Sequence, residues 1–295
     1  MNNRTKGYLF GIFGAAAYGL NPLFTLPLYA DSVNPLSALL FRYGLAAPLL
    51  ALLMVARRMS FRIDRHELPA LIVLGIMMAL SSLTLFVSYT YMDAGIASTL
   101  LFVYPILTAV LMKVGYQERM NWKVAVSMLL ALAGILLLYY QGKGLHLDAT
   151  GVLLVFVSAL TYAIYLIGVK HSCLVRMPTL KMNFYVLVVS TALFVVCLLF
   201  FGPLTLPQHG YLWMDALALA LFPTCVSFLF TTLAVHRIGS TETSILGALE
   251  PLTAVVIGIL VFHEAFTFRN ACGIALILLS VCVVVWQGKR LQTPS

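Results

Sequence analysis

Ten stretches of this chain run for about twenty residues with no more than one charge each, long enough to cross a bilayer core, which takes roughly 20 apolar residues of helix. They are Gly7–Ala30, Ser32–Ala56, Leu68–Met92, Ala94–Met112, Val124–Gly142, Ala149–Val169, Met182–Gly202, Ala216–Val235, Thr243–Phe262 and Asn270–Gln287. Only Arg42 and Glu250 interrupt them. In lipid each backbone N–H and C=O must be paired within its own segment, so the runs are expected as helices. The chain is 62% apolar and only 9% charged, against about 25% charged in soluble domains. The expected fold class is an all-α polytopic membrane protein with ten transmembrane helices. The first run is too long for a signal-peptide core and leads at once into another span.

The net charge of +8 invites a nucleic-acid reading, but the positions of the basic residues explain it differently. With the N-terminus placed in the cytoplasm, 15 of the 18 Lys and Arg fall in cytoplasmic segments. Lys143 and Arg269 fall outside, and Arg42 falls within a span. This is the positive-inside pattern. It predicts a multi-pass protein of the cell (cytoplasmic or inner) membrane with both termini cytoplasmic, and no nucleic-acid partner is needed. The five cysteines have no metal-like spacing, so no metal, redox or disulfide role is assigned to them.

A search for internal similarity finds the second half repeating the first. Gly7 to Tyr18 matches Gly151 to Tyr162 at an offset of 144, and at that offset Phe86 meets Phe230 and Gly95 meets Gly239. After two extra residues Pro105 meets Pro251, Glu118 meets Glu264, and Gln141-Gly142-Lys143 meets Gln287-Gly288-Lys289. Each half holds five spans, an odd number, so the second copy enters the membrane from the opposite side. The expected organisation is a cytoplasmic tail at 1–6, a first repeat at 7–142, a linker at 143–150, an inverted second repeat at 151–288 and a cytoplasmic tail at 289–295. Inverted repeats are the architecture of many secondary transporters, with the binding site near the midplane between the halves.

The paired copies, each with an apolar run, a mid-helix Pro and a Glu thirteen residues later, resemble the EamA domains of the drug/metabolite transporter superfamily. The resemblance covers nearly the whole chain. It implies two inverted five-helix EamA repeats and a secondary exporter of amino acids, related metabolites or xenobiotics. It also implies a pathway surrounded by spans 1–4 and 6–9, with spans 5 and 10 peripheral. Members commonly carry Gly before the Glu, where this chain has Gln117 and His263.

Within the spans, Glu250 and Arg42 are the charges to explain, since an intramembrane ionisable group marks a pathway, a proton relay or a buried pair. Glu250 is aligned with Tyr104 in the other half, so it breaks the symmetry. Together Glu and Arg offer an acceptor for an ammonium and a fork of donors for a carboxylate, which suits a zwitterionic amino acid. The competing reading is that the two pair with each other or with backbone. Tyr18, Tyr104 and Tyr162 sit deep enough to line a cavity that would stack on a substrate. Asn21, before Pro22, is a candidate contact at a broken helix. Pro22, Pro105 and Pro251 are candidate hinges, because a proline removes a backbone hydrogen bond. Glu118 and Glu264 are related by inversion and lie at opposite faces, so they are expected to favour helix ends rather than share a site.

No catalytic residues and no cofactor are expected. His66-Glu67 lacks the second His of a zinc-protease motif, and there is no Walker A sequence. The expected partners are a small-molecule substrate, protons and the lipid bilayer, with a homodimer left open. Carriers of drugs, sugars or nucleotide precursors stand as alternatives, followed by a passive channel and then an intramembrane enzyme.

Overall fold

A computed structural model describes residues 2–92, 97, 100–117, 122–139, 148–261 and 267–290. Glu118, Glu264 and most of the 143–150 linker lie outside the described residues. Everything regular is helical: α1 (Asn3–Gly19), α2 (Asn21–Ala30), α3 (Pro35–Ala56), α4 (Leu68–Ser88), α5 (Tyr104–Tyr116), α6 (Trp122–Tyr139), α7 (Ala149–His171), α8 (Thr179–Phe201), α9 (Leu212–Ala220), α10 (Ser227–Ile238), α11 (Ser240–Leu246), α12 (Leu249–Leu260) and α13 (Phe268–Arg290). Among the described residues seven helices are long and apolar enough to cross a membrane, counting α1 with α2 and α9 with α10. Large apolar side chains such as Leu199 and Phe200 face outward while Arg42, Asn183 and Ser190 are buried. That is the distribution a lipid solvent dictates. The chain is a multi-pass membrane protein.

Three of the predicted spans are not continuous. The helix is interrupted at Leu20, at Phe102–Val103 and at Gly247–Ala248. Each interruption comes shortly before a proline: Pro22, Pro105, Pro251. A proline has no N–H for the carbonyl four residues back, and its ring clashes with that carbonyl. The chain responds by tightening to three-residue bonds, from Leu20 N to Ala17 O, Val103 N to Leu100 O, and Glu250 N to Gly247 O (2.9 Å). Glu250 therefore lies in the first turn of a new helix, α12, and not in the middle of one long span. The span expected over Thr243–Phe262 is corrected to two half-helices, α11 and α12. A fourth proline, Pro223, sits in a π-helical segment, Leu221–Val226, that joins α9 to α10.

Gln117, where the resemblance expects glycine, ends α5 with φ of 53°. This is the left-handed position that closes many helices and that glycine enters without strain. At the start of α7, Asp148 accepts the Thr150 and Gly151 N–H groups at 2.7 and 3.1 Å, and these bonds hold its pKa below the usual carboxylate value.

Helix α1 packs on α10 and α7 on α4, α1 on α12 and α7 on α5, α4 on α8 and α9 on α3, with α3 on α8 and α6 on α13. Exchanging the two halves of the sequence turns each of the first six pairs into another of them and carries the last two onto themselves. Small residues allow the closest of these approaches: a Cβ on Gly134 of α6 would lie 2.7 Å from the Gly273 carbonyl of α13. Serines add cross-helix bonds, Ser280 Oγ to Ser127 O at 2.7 Å and Ser190 Oγ to Gly75 O at 2.9 Å.

Segments that the charge pattern places on one side do touch one another. Tyr185 and Lys181, opening α8, donate to the Phe61 and Arg62 carbonyls. At the other face, Asn34 Nδ2 donates to Pro203 O, and Asp31 accepts the Gln208 N–H at 2.6 Å with His209 Nδ1 2.8 Å away. The Gln208 bond, then His209, lowers the Asp31 pKa. A carboxyl whose folded pKa is depressed contributes stability above its unfolded pKa and loses it as pH falls through the folded one. The tie to residues 203–209 is therefore expected to hold at neutral pH and to loosen only in acid below the ordinary Asp value of about 3.9. Asp31→Asn should loosen it at every pH. Limited proteolysis of residues 203–209 across pH checks this, and equal cleavage of the two proteins at neutral pH would defeat it.

Candidate functional site

The interruption in span 1 meets the interruption in span 9. A Cβ on Gly19 would overlap the Glu250 carbonyl and the Thr253 side chain, so the end of α1 lies directly against the first turn of α12. Beside this contact is a narrow cleft lined by Gly11 and Ala15 of α1, Tyr104 of α5, Tyr162 and Leu166 of α7, Thr231 of α10, and Thr243, Gly247 and Glu250 around the α11–α12 break. Its free interior is about that of one water. The helices are closed around it.

Glu250 is surrounded by protein yet keeps accessible surface, because that surface faces the cleft. Its carboxylate has no hydrogen-bond or ion-pair partner among the described residues. In the first turn of α12 it faces the positive end of the helix dipole, and the Arg42 guanidinium lies within electrostatic reach of it. Tyr18, Tyr104 and Tyr162 all lie within electrostatic reach of it. The Tyr104 and Tyr162 rings meet edge to face at 4.9 Å, and Tyr162 stacks on Tyr165 at 6.1 Å. The Tyr104 hydroxyl fills the space where a Cβ on Gly247 would sit. Glycine at 247 thus lets the symmetry partner of Glu250 reach across to the opposite half.

Arg42 is fully buried, but it does not line the cleft. Its Nε donates to Thr224 Oγ1 at 2.8 Å and its Nη2 to the Pro223 carbonyl at 3.2 Å. Both acceptors come from the π-helical segment, where Pro223 has no N–H to offer the Leu219 carbonyl and the Thr224 hydroxyl donates to it instead at 3.0 Å. The guanidinium lies over Tyr18 at 5.1 Å, Tyr43 at 5.6 Å and Phe86 at 5.9 Å, and Nη1 has no hydrogen bond. Tyr18 stands in contact with Arg42 and within reach of Glu250. Arg42 thus bonds one side-chain hydroxyl and one backbone carbonyl of this segment.

The structure thus brings Glu250, Tyr104 and Tyr162 to one cleft, with Tyr18 beside it and Arg42 behind Tyr18. Asn21 lies apart: it is buried and its Oδ1 accepts the Thr25 hydroxyl at 3.0 Å. Pro105 and Pro251 are buried at their breaks, and Pro22 is exposed on the outer surface. Gly11, Ala15, Thr231, Thr243 and Gly247 were not distinguishable in sequence from ordinary small residues at helix contacts. Asp64, His66 and Glu67 also gather their ligand atoms within 4.8 Å in a polar loop, where Glu67 accepts the Asp64 N–H and closes a turn before α4.

A polytopic helical protein enclosing a small polar cleft at the meeting point of broken helices is built as a membrane carrier of small molecules. Comparison with known proteins agrees: residues 5–140 and 149–286 each match the EamA-like transporter family, and the chain belongs to that family. It is 26% identical to the uncharacterized transporter YyaM of Bacillus subtilis over 92% of this chain and 90% of that one. It is 27% identical to YvbV of the same organism, also an uncharacterized transporter, over 77% and 76%. A Synechocystis transporter, sll1319, is 26% identical over 72% of this chain, and the match spans 65% of that protein. A solved crystal structure shares the fold with a TM-score of 0.85 over 98% of this chain and 99% of that one, at 20% identity. Members of this family are transporters and not enzymes.

Proposed function

We propose that this protein is a secondary transporter that exports small amine-bearing metabolites, amino acids first among them, by alternating access between two inverted five-span repeats. The repeats run over residues 7–142 and 151–288, with both termini cytoplasmic. The observation that carries the reading is the partnerless Glu250 carboxylate on an aromatic-lined cleft. A substrate ammonium there gains a charge-assisted hydrogen bond of about 1.5–3 kcal/mol. Cation–π contact with the Tyr104 and Tyr162 faces adds about 0.5–2 kcal/mol. Without substrate, a proton neutralises the carboxylate, which couples export to proton uptake at the same group. The exchange of packing partners between halves supports the two-state part, since inverted halves can swap conformations at little net cost.

Arg42 favours a second reading. Its Nε and Nη2 are already bonded to Thr224 and Pro223, so a substrate needs no carboxylate to satisfy those donors. The substrates of that reading are simple amines. Counterflow in proteoliposomes with labelled amino acids and their decarboxylated amines separates the two. Accumulation driven by an amino acid on the far side supports the first reading, and accumulation driven by the amine alone supports the second. Displacement by neither defeats the amine assignment, and a lack of trans-stimulation altogether marks a channel.

A further inference from the structure

A second carboxylate stands at the end of the helices that wall the cleft. Glu242, in the first turn of α11, accepts Nη2 of Arg4 through Oε1 and the Tyr8 hydroxyl through Oε2 at 3.2 Å. The Tyr8 hydroxyl also lies 3.5 Å from the Val284 carbonyl of α13. Arg4 and Tyr8 are one helical turn apart and share a face of α1. A single carboxylate thus joins α1 to α11, and Tyr8 extends the tie to α13.

The next turns of these same helices line the cleft. On α1, Gly11 and Ala15 follow Tyr8; on the other side, Thr243 and Gly247 follow Glu242. Glycine at position 7 lets the start of α1 press against Arg237 and Ile238 at the end of α10, where a Cβ would come within 2.7 Å of both. Arg4 and Lys170 both lie within electrostatic reach of the Glu242 carboxylate. The carboxylate is thus set among positive charges, with Arg4 the one it bonds.

We propose that the Arg4–Glu242–Tyr8 cluster is a gate. It closes the Arg4 end of the Glu250 cleft, and it must part before substrate passes between the cleft and that face of the membrane. This deepens the alternating-access reading and rests on it. Neither Arg4 nor Tyr8 touches the cleft, so the cluster controls access and not recognition.

The test reads accessibility and needs no substrate, so its failure would leave the amine assignment standing. Cysteine is placed at Ala15, on the cleft wall. Its reaction with a membrane-impermeant maleimide is followed by peptide mass in sealed vesicles of each orientation. Arg4→Gln and Glu242→Gln are each expected to raise the labelling rate from the Arg4 side about fivefold, the effect of a pair worth about 1 kcal/mol. From the opposite side neither should change it. The double variant should label no faster than either single one, because both remove the same bond. Arg4→Lys, which keeps the charge, should label like the parent. Tyr8→Phe removes only the hydroxyl and should give a smaller same-side rise even if the Gln variants express poorly. Parental rates in all three neutralised variants would overturn the gate. A double variant showing the two single effects multiplied would overturn the pairing.

Discussion

Glu250→Gln should abolish most amine transport while leaving the protein folded. Glutamine keeps the shape of the side chain and the backbone bond from Glu250 N to Gly247 O, so α12 loses only its dipole contribution of about 0.3–1 kcal/mol. Recognition loses far more. Removing one partner of a desolvated charge pair costs about 2–5 kcal/mol, which is a drop in transport of roughly 30-fold or greater. The drop should be largest for simple amines and should come with a flattened pH dependence, since glutamine takes up no proton. Uptake assays in proteoliposomes at several pH values give the answer. Wild-type rates with an unchanged pH profile would remove Glu250 from the mechanism.

Gly19→Ala should destabilise the fold at the meeting point of the two interrupted helices. The added carbon would meet the Glu250 backbone carbonyl, which cannot rotate out of the way as a side chain can. Overpacking of this kind costs about 1–3 kcal/mol. Gly44→Ala is the matched control: a Cβ there would find nothing nearer than a Thr191 methyl at 3.7 Å. Thermal unfolding in detergent should show a clear fall for Gly19→Ala and little change for Gly44→Ala. Equal melting temperatures would mean that the two interrupted helices do not meet as described.

The apolar runs made the class of fold legible, because in lipid the length and charge of a segment nearly determine its backbone. The repeated prolines marked where helices are interrupted. What they did not reveal is that a short stretch of three-residue bonds follows the loss of each N–H, which puts Glu250 in the first turn of a half-helix. That outcome depends on what packs beside the break, and Gly19 lies 231 residues away in sequence. Glu250, Tyr104 and Tyr162 were legible as candidates because polar groups in hydrocarbon are few, and the structure brings them to one cleft. Arg42 was equally conspicuous, yet its partners are the Pro223 carbonyl and the Thr224 hydroxyl of a π-helical segment. No side-chain pattern announces a π-helical segment. The walls of the cleft were illegible for a related reason: Gly11, Ala15 and Gly247 contribute space, and space has no chemical signature.

Two of the packed pairs, α6 with α13 and α3 with α8, join a helix to its own counterpart in the other half. Under an exchange of the halves such a pair is carried onto itself. Under the proposed alternating access its geometry would be the same at both ends of the cycle, as a hinge pin is the same whichever way the door stands. The tight seat of Gly134 on Gly273 belongs to such a pin. Helices α1, α7 and α10, which have no such twin beside them, supply Gly11, Ala15, Tyr162, Leu166 and Thr231 of the cleft wall.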